Sequence, residues 1–280
     1  MGADDTFGAG RIDVAAAYTA LVTAPSTTTS TTSTTTTTEP PTTSTTSTST
    51  TSTSSTTTTS TTTTSTTEPP TSTTVAPSDQ VLFTDGFESG TTRAWSSTVT
   101  NNGRLSVTTA AHLTGTYGLQ ARITSTTQMY VADATPTNAT NLTTSFQFDP
   151  NNVTLGTKTH ELLRALNPNG TAITTIQIRA NGTAYQIRAT TRLDNGTTKY
   201  TTWTTLTNAP HTITLAWRAA TTPTSADGTL TLTIDTTPTT ATNLTNTTQR
   251  IDQTRLGPQT LTTGISGTEY YDTYTTTQTT

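Results

Sequence analysis

Apolar and polar residues alternate in short runs from Val81 to the end of the chain. In the stretch HTITLAW, the side chains of Ile213, Leu215 and Trp217 fall on one face and the residues between them on the other. Because successive side chains of a strand point to opposite faces, this period of two predicts a strand with one buried face. Similar runs occur at 104–109, 117–123, 143–150, 172–180, 184–193, 199–206, 228–235 and 269–276.

Turn-forming dipeptides separate several of these runs. Asn181-Gly182, Asn195-Gly196 and Asp227-Gly228 are pairs that favour tight hairpin turns. The segment 160–166, HELLRAL, allows either a helix or a strand. Many short strands joined by turns are typical of a sandwich of two antiparallel sheets. The sequence therefore predicts an all-β jelly roll over residues 79–280.

The beginning of the chain differs from the rest in composition. Residues 13–22 are good helix formers, Asp13 suits the start of a helix, and Pro25 ends it. Of the 49 residues at 26–74, 43 are Ser or Thr. A segment without apolar side chains cannot offset the entropy of ordering its backbone. We therefore expect a helical segment at 1–24, a disordered linker at 25–78 and a folded domain at 79–280.

Charge and composition disfavour several classes of function. The net charge is −4, charged residues make up 11% of the chain, and Lys and Arg form no run. This composition disfavours binding to nucleic acid or to an anionic membrane surface. No stretch of 18 apolar residues is present to span a membrane, and the chain as given opens with no signal peptide. The absence of cysteine excludes disulfides and thiolate metal sites.

The start of the chain carries a recognisable motif. Phe7-Gly8-Ala9-Gly10-Arg11-Ile12-Asp13-Val14, followed by AAAYTAL, resembles the last motif and final helix of subtilisin-like serine protease domains. That family's serine nucleophile lies in a Gly-Thr-Ser-Met-Ala-type phrase, which this chain lacks, and all three histidines lie beyond the Ser/Thr tract. The resemblance implies a non-catalytic C-terminal fragment of a secreted or cell-surface protease. An unrelated short amphipathic helix is the alternative.

The folded domain carries a second resemblance. Five motifs, in this order, are similar to successive strands of concanavalin-A-like (laminin-G-like) jelly-roll modules. They are Val81–Gly90 followed by Trp95, Gly115–Leu119, His211–Trp217, Leu232–Asp235 and Tyr270–Asp272. The resemblance implies a two-sheet sandwich that serves as a binding module.

The same resemblance implies a structural calcium ion where the first and last strands meet. Glu88 and Asp272 match the carboxylate positions, and a backbone carbonyl near Gly118 is a third ligand. Calcium prefers several oxygen ligands of these two kinds. The alternative is that both acids lie at strand ends and accept hydrogen bonds from turn N–H groups.

Aromatic and polar residues of the strands suggest a carbohydrate ligand. Tyr130, Tyr200 and Trp203 are candidates for stacking on sugar rings, because a ring face offers apolar area. Arg188 is a candidate hydrogen-bond donor beside them, as are Arg179 and Asn195. Tyr185 is a further aromatic candidate, but like Trp217 it alternates with apolar residues and more often belongs to the core.

Catalysis is not expected. Glycoside hydrolysis needs two facing carboxylates, and none of the five glutamates lies in an E-x-D-x-E pattern. The phrase Thr159-His160-Glu161-Leu162 lacks the second histidine of a zinc helix, because Arg164 stands there. His211 opens a strand and has a structural role. The sequence thus predicts a monomeric module that binds a polysaccharide or cell-surface glycan, with an adhesive or purely structural module as the alternative.

Overall fold

The computed structural model describes residues 78–279, and they form sixteen strands and one short 3-10 turn. In chain order the strands are β1 (Asp79–Asp85), β2 (Ser97–Val99), β3 (Leu105–Thr108), β4 (Gly118–Ile123), β5 (Tyr130–Asp133), β6 (Asn141–Asp149), β7 (Thr159–Leu166), β8 (Ala172–Asn181), β9 (Ala184–Arg192), β10 (Thr198–Tyr200), β11 (Thr204–Leu206), β12 (His211–Arg218), β13 (Gly228–Ile234), β14 (Thr237–Leu244), β15 (Gln253–Gln259) and β16 (Gly267–Thr279). The 3-10 turn spans Thr109–Ala111, and no helix within residues 78–279 has the length and apolarity to cross a membrane.

The strands form two antiparallel sheets. Sheet one has the order β14-β13-β12-β6-β16-β4-β3, and β1 also pairs with β16. Sheet two has the order β10-β9-β8-β7-β15-β5-β2, and β11 pairs with β9. The predicted two-sheet β-sandwich is therefore confirmed. The predictions for residues 1–24 and 25–77 lie outside the described residues.

The core lies between the two sheets, where the alternating patterns place their apolar sides. Ile213, Leu215 and Trp217 of β12 are buried, while Thr212, Thr214 and Ala216 are not. The Trp217 indole N–H donates to the Thr191 hydroxyl in the opposite sheet at 3.1 Å. Tyr185 is also buried, as predicted, and its hydroxyl donates to the Val153 carbonyl at 2.7 Å.

A polar bridge crosses this core. His160 in β7 lies 2.9 Å from the Glu269 carboxylate in β16, and both side chains are fully buried. The second carboxylate oxygen accepts a hydrogen bond from the Tyr271 hydroxyl at 2.7 Å. Burial and the neighbouring Glu269 raise the pKa of Tyr271 well above its ordinary value, so the phenol remains protonated and donates. The bridge therefore ties sheet two to sheet one.

The structure decides between helix and strand for residues 160–166, and it corrects one predicted turn. HELLRAL is strand β7, and Asn181-Gly182 and Asn195-Gly196 join neighbouring strands as predicted. β12 and β13 pair antiparallel, but Asp227-Gly228 does not form a tight turn between them, because the connection spans residues 219–227. Asp227 instead closes the connecting loop by accepting hydrogen bonds from Thr221 and Ser225, which lower its pKa to about 2.

Candidate functional site

The outer face of sheet two carries a concentration of arginine. Residues opposite each other on antiparallel strands point to the same side, and the register aligns Arg255 with Arg164, Arg164 with Thr175, Thr175 with Thr190 and Thr190 with Tyr200. The neighbouring row aligns Glu161, Gln177 and Arg188. We call this surface the arginine face and define it by Tyr130, Glu161, Arg164, Gln177, Arg179, Gln186, Arg188, Arg192, Tyr200, Trp203, Gln253 and Arg255.

A repeated tripeptide builds the centre of the arginine face. Gln-Ile-Arg occurs at 177–179 in β8 and at 186–188 in β9, on either side of the Asn181-Gly182 turn. The hairpin register places each glutamine opposite the arginine of the other strand. The Arg179 guanidinium donates through Nε and Nη2 to Gln186 Oε1 at 3.0 and 2.8 Å, and Arg188 Nε donates to Gln177 Oε1 at 3.0 Å. The isoleucines between them point into the core.

Trp203 reaches this face from the connection between β10 and β11, which both pair with β9. The Thr201 backbone N–H donates to the Ala189 carbonyl and the Ala189 N–H donates to the Thr201 hydroxyl, each at 2.9 Å. These bonds fix the connection to the edge of β9. They leave Trp203, two residues further on, partly exposed above Arg179 and Arg188.

Aromatic rings and guanidinium groups alternate across the face. The Arg188 guanidinium lies 4.2 Å from the centre of the Tyr200 ring and 4.5 Å from that of Trp203, and Arg179 lies 4.2 Å from the same indole. At such distances the ring face attracts the cation. Burial lowers the pKa of Arg188, the neighbouring Arg179 adds to this shift, and Tyr200 opposes it. The stack Tyr200–Arg188–Trp203–Arg179 is thus one ordered unit.

Three of the four predicted binding residues lie close together. Arg188 contacts both Tyr200 and Trp203, and Tyr200 is 49% exposed. Tyr130 lies on the same sheet, but it is 8% exposed and covered by Arg255, whose guanidinium is 4.5 Å from its ring centre. All three rings contact arginine, so their faces are less free for sugars than the sequence suggested. The orienting glutamines were not predicted from the sequence, although the Gln-Ile-Arg repeat on either side of a turn is a signal for them.

A depression of about 240 Å³ opens on the arginine face. It is lined by Glu161, Ala172, Ile173, Thr175, Gln177, Arg188, Thr190, Arg192, Thr198 and Tyr200. Burial raises the pKa of Glu161, although Arg164, His160 and Gln177 act in the opposite direction. Glu161 is the one acid in this lining. Glycoside hydrolysis uses a pair of carboxyl groups, and this lining contributes one of them.

A second depression of about 490 Å³ is lined in part by Trp203 and by the threonines that follow it, Thr204, Thr205 and Thr207. It includes His211, whose ring bonds Asp235 at 2.8 Å through Nδ1 and the Thr207 hydroxyl at 2.7 Å through Nε2. The hydrogen bond from His211 is the largest cause that lowers the pKa of Asp235. Asp235 also accepts the Thr212 N–H at 2.9 Å. These bonds hold the ends of β12 and β13 together, which fits the structural role expected for His211.

The residues predicted to bind calcium meet at the loop before β4. Glu88 accepts hydrogen bonds from the backbone N–H groups of Thr116 and Tyr117 at 3.0–3.2 Å. Asp272 is fully buried and accepts from the N–H groups of Leu113, Thr114 and Thr273 at 2.7–2.9 Å. Each of the four carboxylate oxygens therefore accepts at least one backbone hydrogen bond.

A hard cation such as calcium takes six to eight oxygen ligands. Among residues 78–279, no group of three or more acids or histidines converges to hold a metal ion. A methyl group on Gly118 would lie 2.0 Å from the Ala111 carbonyl oxygen, so the glycine is required for close backbone packing. As placed, the donor set fits the alternative, in which both acids accept turn N–H groups, better than it fits calcium.

The calcium ion therefore stays a prediction from the resemblance, and calorimetry tests it. If the ion binds here, Ca²⁺ should raise the unfolding midpoint by several degrees over an EDTA sample, by ligand linkage. The rise should disappear in Glu88→Gln, which keeps the shape of the side chain and removes its charge. An unchanged midpoint would leave both acids as acceptors for the loop.

Asp272→Ala is expected to destabilise the sandwich with or without calcium. The substitution leaves the N–H groups of Leu113 and Thr114 without their acceptor, beside a fully buried position. An unsatisfied buried donor costs about 1–3 kcal/mol, and because Thr114 is exposed to water we expect the loss in the free energy of unfolding to be roughly that of one such donor. Urea unfolding measures this loss. A loss under about 1 kcal/mol would show that water replaces the carboxylate.

Comparisons with known proteins give structural likenesses of low sequence identity. No protein-family model matches the chain, and no curated protein matches it. Three solved structures illustrate the likeness. The receptor binding domain of botulinum neurotoxin type G is 9% identical over 71% of this chain and 42% of its own, with a TM-score of 0.40. This chain therefore spans less than half of that domain.

The two others match nearly their whole length. Alginate lyase vAL-1 from Chlorella virus is 10% identical over 66% of this chain and 99% of its own, with a TM-score of 0.45. The CBM2 module of the evolved Dit protein of Lactobacillus casei BL23 phage J-1 is 10% identical over 73% of this chain and 98% of its own, with a TM-score of 0.42. At these values the likenesses carry no argument about ligand or activity.

Proposed function

We propose that residues 79–280 form a non-catalytic module that binds a glycan through the arginine face. One observation carries the proposal: Tyr200 and Trp203 stand partly exposed on one sheet face, ordered by Arg188 between them. Ring faces and oriented donors are the two elements that a sugar needs, because its ring is apolar and its rim is hydroxylated. The exposed Thr198 adds a hydroxyl group to the depression beside the stack, whereas the buried hydroxyls of Thr175 and Thr190 bond each other at 2.8 Å.

The alternative function is structural or adhesive and involves no small ligand. It would favour a surface covered by threonine without aromatic groups. Threonines occupy part of the outer face of sheet one, with Thr214, Thr231 and Thr240 at its surface, although Tyr270 also lies on the outer side of that sheet. The arginine face instead carries Tyr200 and Trp203 beside arginines, and for this reason we propose that binding occurs there.

The wider role that we propose is targeting. The motif at residues 4–22 supports an origin as the C-terminal part of a secreted, subtilisin-like serine protease, in which the Ser/Thr tract tethers the module to the enzyme. Tethering raises the concentration of the enzyme at a polymer without new contacts at the active site. Mass spectrometry of the native secreted protein tests this origin. Peptides of a protease domain joined to this sequence would support it, and a secreted protein without them would contradict it.

Native electrophoresis tests the binding proposal. We expect the full chain to migrate more slowly in gels that contain a polysaccharide than in plain gels. The panel contains hydroxyethyl cellulose, xylan, polygalacturonate and heparin, and serum albumin serves as the non-binding standard. Unchanged mobility in all four gels would contradict glycan binding and favour the structural alternative.

A further inference from the structure

The charge of the arginine face differs from that of the chain as a whole. Five of the 13 basic residues of the chain lie on this face, and Glu161 is the one acid among its defining residues, although the net charge of the chain is −4. The five are Arg164, Arg179, Arg188, Arg192 and Arg255. Glu161 is already paired with Arg164, whose Nε lies 2.7 Å from its carboxylate. The face therefore has a local excess of four positive charges.

Neighbouring side chains orient four of these five arginines. Glu161 holds Arg164, Gln177 holds Arg188, Gln186 holds Arg179, and Gln253 holds Arg255, whose Nε donates at 2.8 Å. In Arg164, Arg188 and Arg255 the bond uses Nε, so the terminal amino groups keep their capacity to donate. Groups that are held in place before binding lose less entropy when a ligand arrives. These guanidinium groups are therefore held in position to bind an anion, unlike freely solvated charges.

A neutral sugar would not need this charge. Hydroxyl groups are satisfied by amides and hydroxyls, whereas the guanidinium fork matches the two oxygens of a carboxylate or sulfate. Strands of a sheet lie about 4.8 Å apart, so the face from β15 to β10 extends about 19 Å, longer than one sugar ring. Charge and length together indicate an extended, negatively charged ligand.

We propose that the arginine face binds an anionic polysaccharide, whose carboxylate or sulfate groups pair with Arg164, Arg188 and Arg255. This inference rests on the proposed glycan binding and specifies its ligand class. Tyr200, 49% exposed at the edge of the stack, offers its outer ring face to the sugar ring, while the arginines take the charged substituents.

Polygalacturonate and its methyl ester provide a matched test, because esterification removes the charge and keeps the backbone of the polymer. We expect the full chain to bind immobilised polygalacturonate and to lose at least tenfold in affinity on the ester. A heparin arm distinguishes sulfate from carboxylate as the preferred anion. Arg188→Gln should weaken binding about tenfold, and Arg255→Gln serves as an independent variant if the first fails to fold. Arg122→Gln, an exposed arginine of sheet one, is the charge-matched control and should leave binding unchanged.

The outcomes distinguish failure of the anionic-ligand proposal from failure of the glycan-binding proposal. Equal binding to the ester, or to hydroxyethyl cellulose, would overturn the anionic ligand and leave glycan binding intact. Equally tight binding to a single-stranded DNA oligonucleotide would show general attraction to polyanions and would also overturn it. Binding to none of the polysaccharides would remove both proposals. An Arg122→Gln loss as large as that of Arg188→Gln would mean that the arginine face is not the site.

Discussion

Replacing Glu269 by alanine should remove about 3–5 kcal/mol from the free energy of unfolding. The carboxylate accepts from Tyr271 and contacts His160 across the core, and all three side chains are fully buried. Alanine leaves an imidazole and a phenol without partners in a space that it does not fill, and each unsatisfied group carries its own desolvation cost. Native domains are stable by about 5–15 kcal/mol, so the loss is a large part of the total.

Urea unfolding measures this effect, and the slope of the transition shows whether the native state is otherwise unchanged. Glu269→Gln is the matched control, because it keeps the volume of the side chain and a carbonyl acceptor for Tyr271, while it removes the charge and replaces the second oxygen by an NH2 group. We expect its loss to be less than half that of alanine. Similar stability of the alanine variant and the unchanged chain would mean that the bridge between the sheets contributes little.

The second large effect concerns binding. Trp203→Ala removes the ring that lies against both Arg179 and Arg188, at 4.2 and 4.5 Å. Cation–π contacts of this kind are worth about 0.5–2 kcal/mol each, and without the indole Arg179 keeps only its glutamine partner while Arg188 keeps its glutamine and Tyr200. We therefore expect affinity for polygalacturonate to fall by about tenfold or more, which corresponds to roughly 1.4 kcal/mol or more.

Tyr270→Ala provides the control for this variant. Tyr270 is a partly buried aromatic residue of β16 in sheet one, next to the inward-pointing Tyr271. Its removal should leave affinity unchanged. Thermal unfolding of both variants separates lost binding from lost fold. Full affinity in a folded Trp203→Ala variant would contradict the role given to the stack.

The period-two pattern was enough to predict the core and most of the strands. In β12 the three residues expected to face inward are buried, because alternation and burial express the same geometry. The pattern was weak where threonine occupies both faces. Strand β14, TPTTATNL, carries no apolar alternation and was not predicted as a strand. Its place in the sheet follows from pairing with β13, which no local pattern reveals.

The candidate site was only half visible in the sequence. Trp203 and Tyr200 stand out as aromatic residues among threonines, and Arg188 lies nearby in the chain. Arg255 and Arg164 come to the same surface through the pairing of β15 with β7, across a long separation in sequence. The contact between Glu269 and His160 was equally impossible to predict from the sequence, because His160 belongs to the other sheet. Pairing between distant strands and packing between sheets decide these positions.

Selective ¹⁵N labelling of tryptophan tests the central claim most directly. The chain has three tryptophans. The residues Trp95 and Trp217 are 6% and 2% exposed, so Trp203 is the one at the proposed surface. On titration of the full chain with oligogalacturonate, the indole N–H signal of Trp203 should shift in a saturable way while the other two stay in place. Saturable binding with an unmoved Trp203 signal would contradict the arginine face as the binding surface.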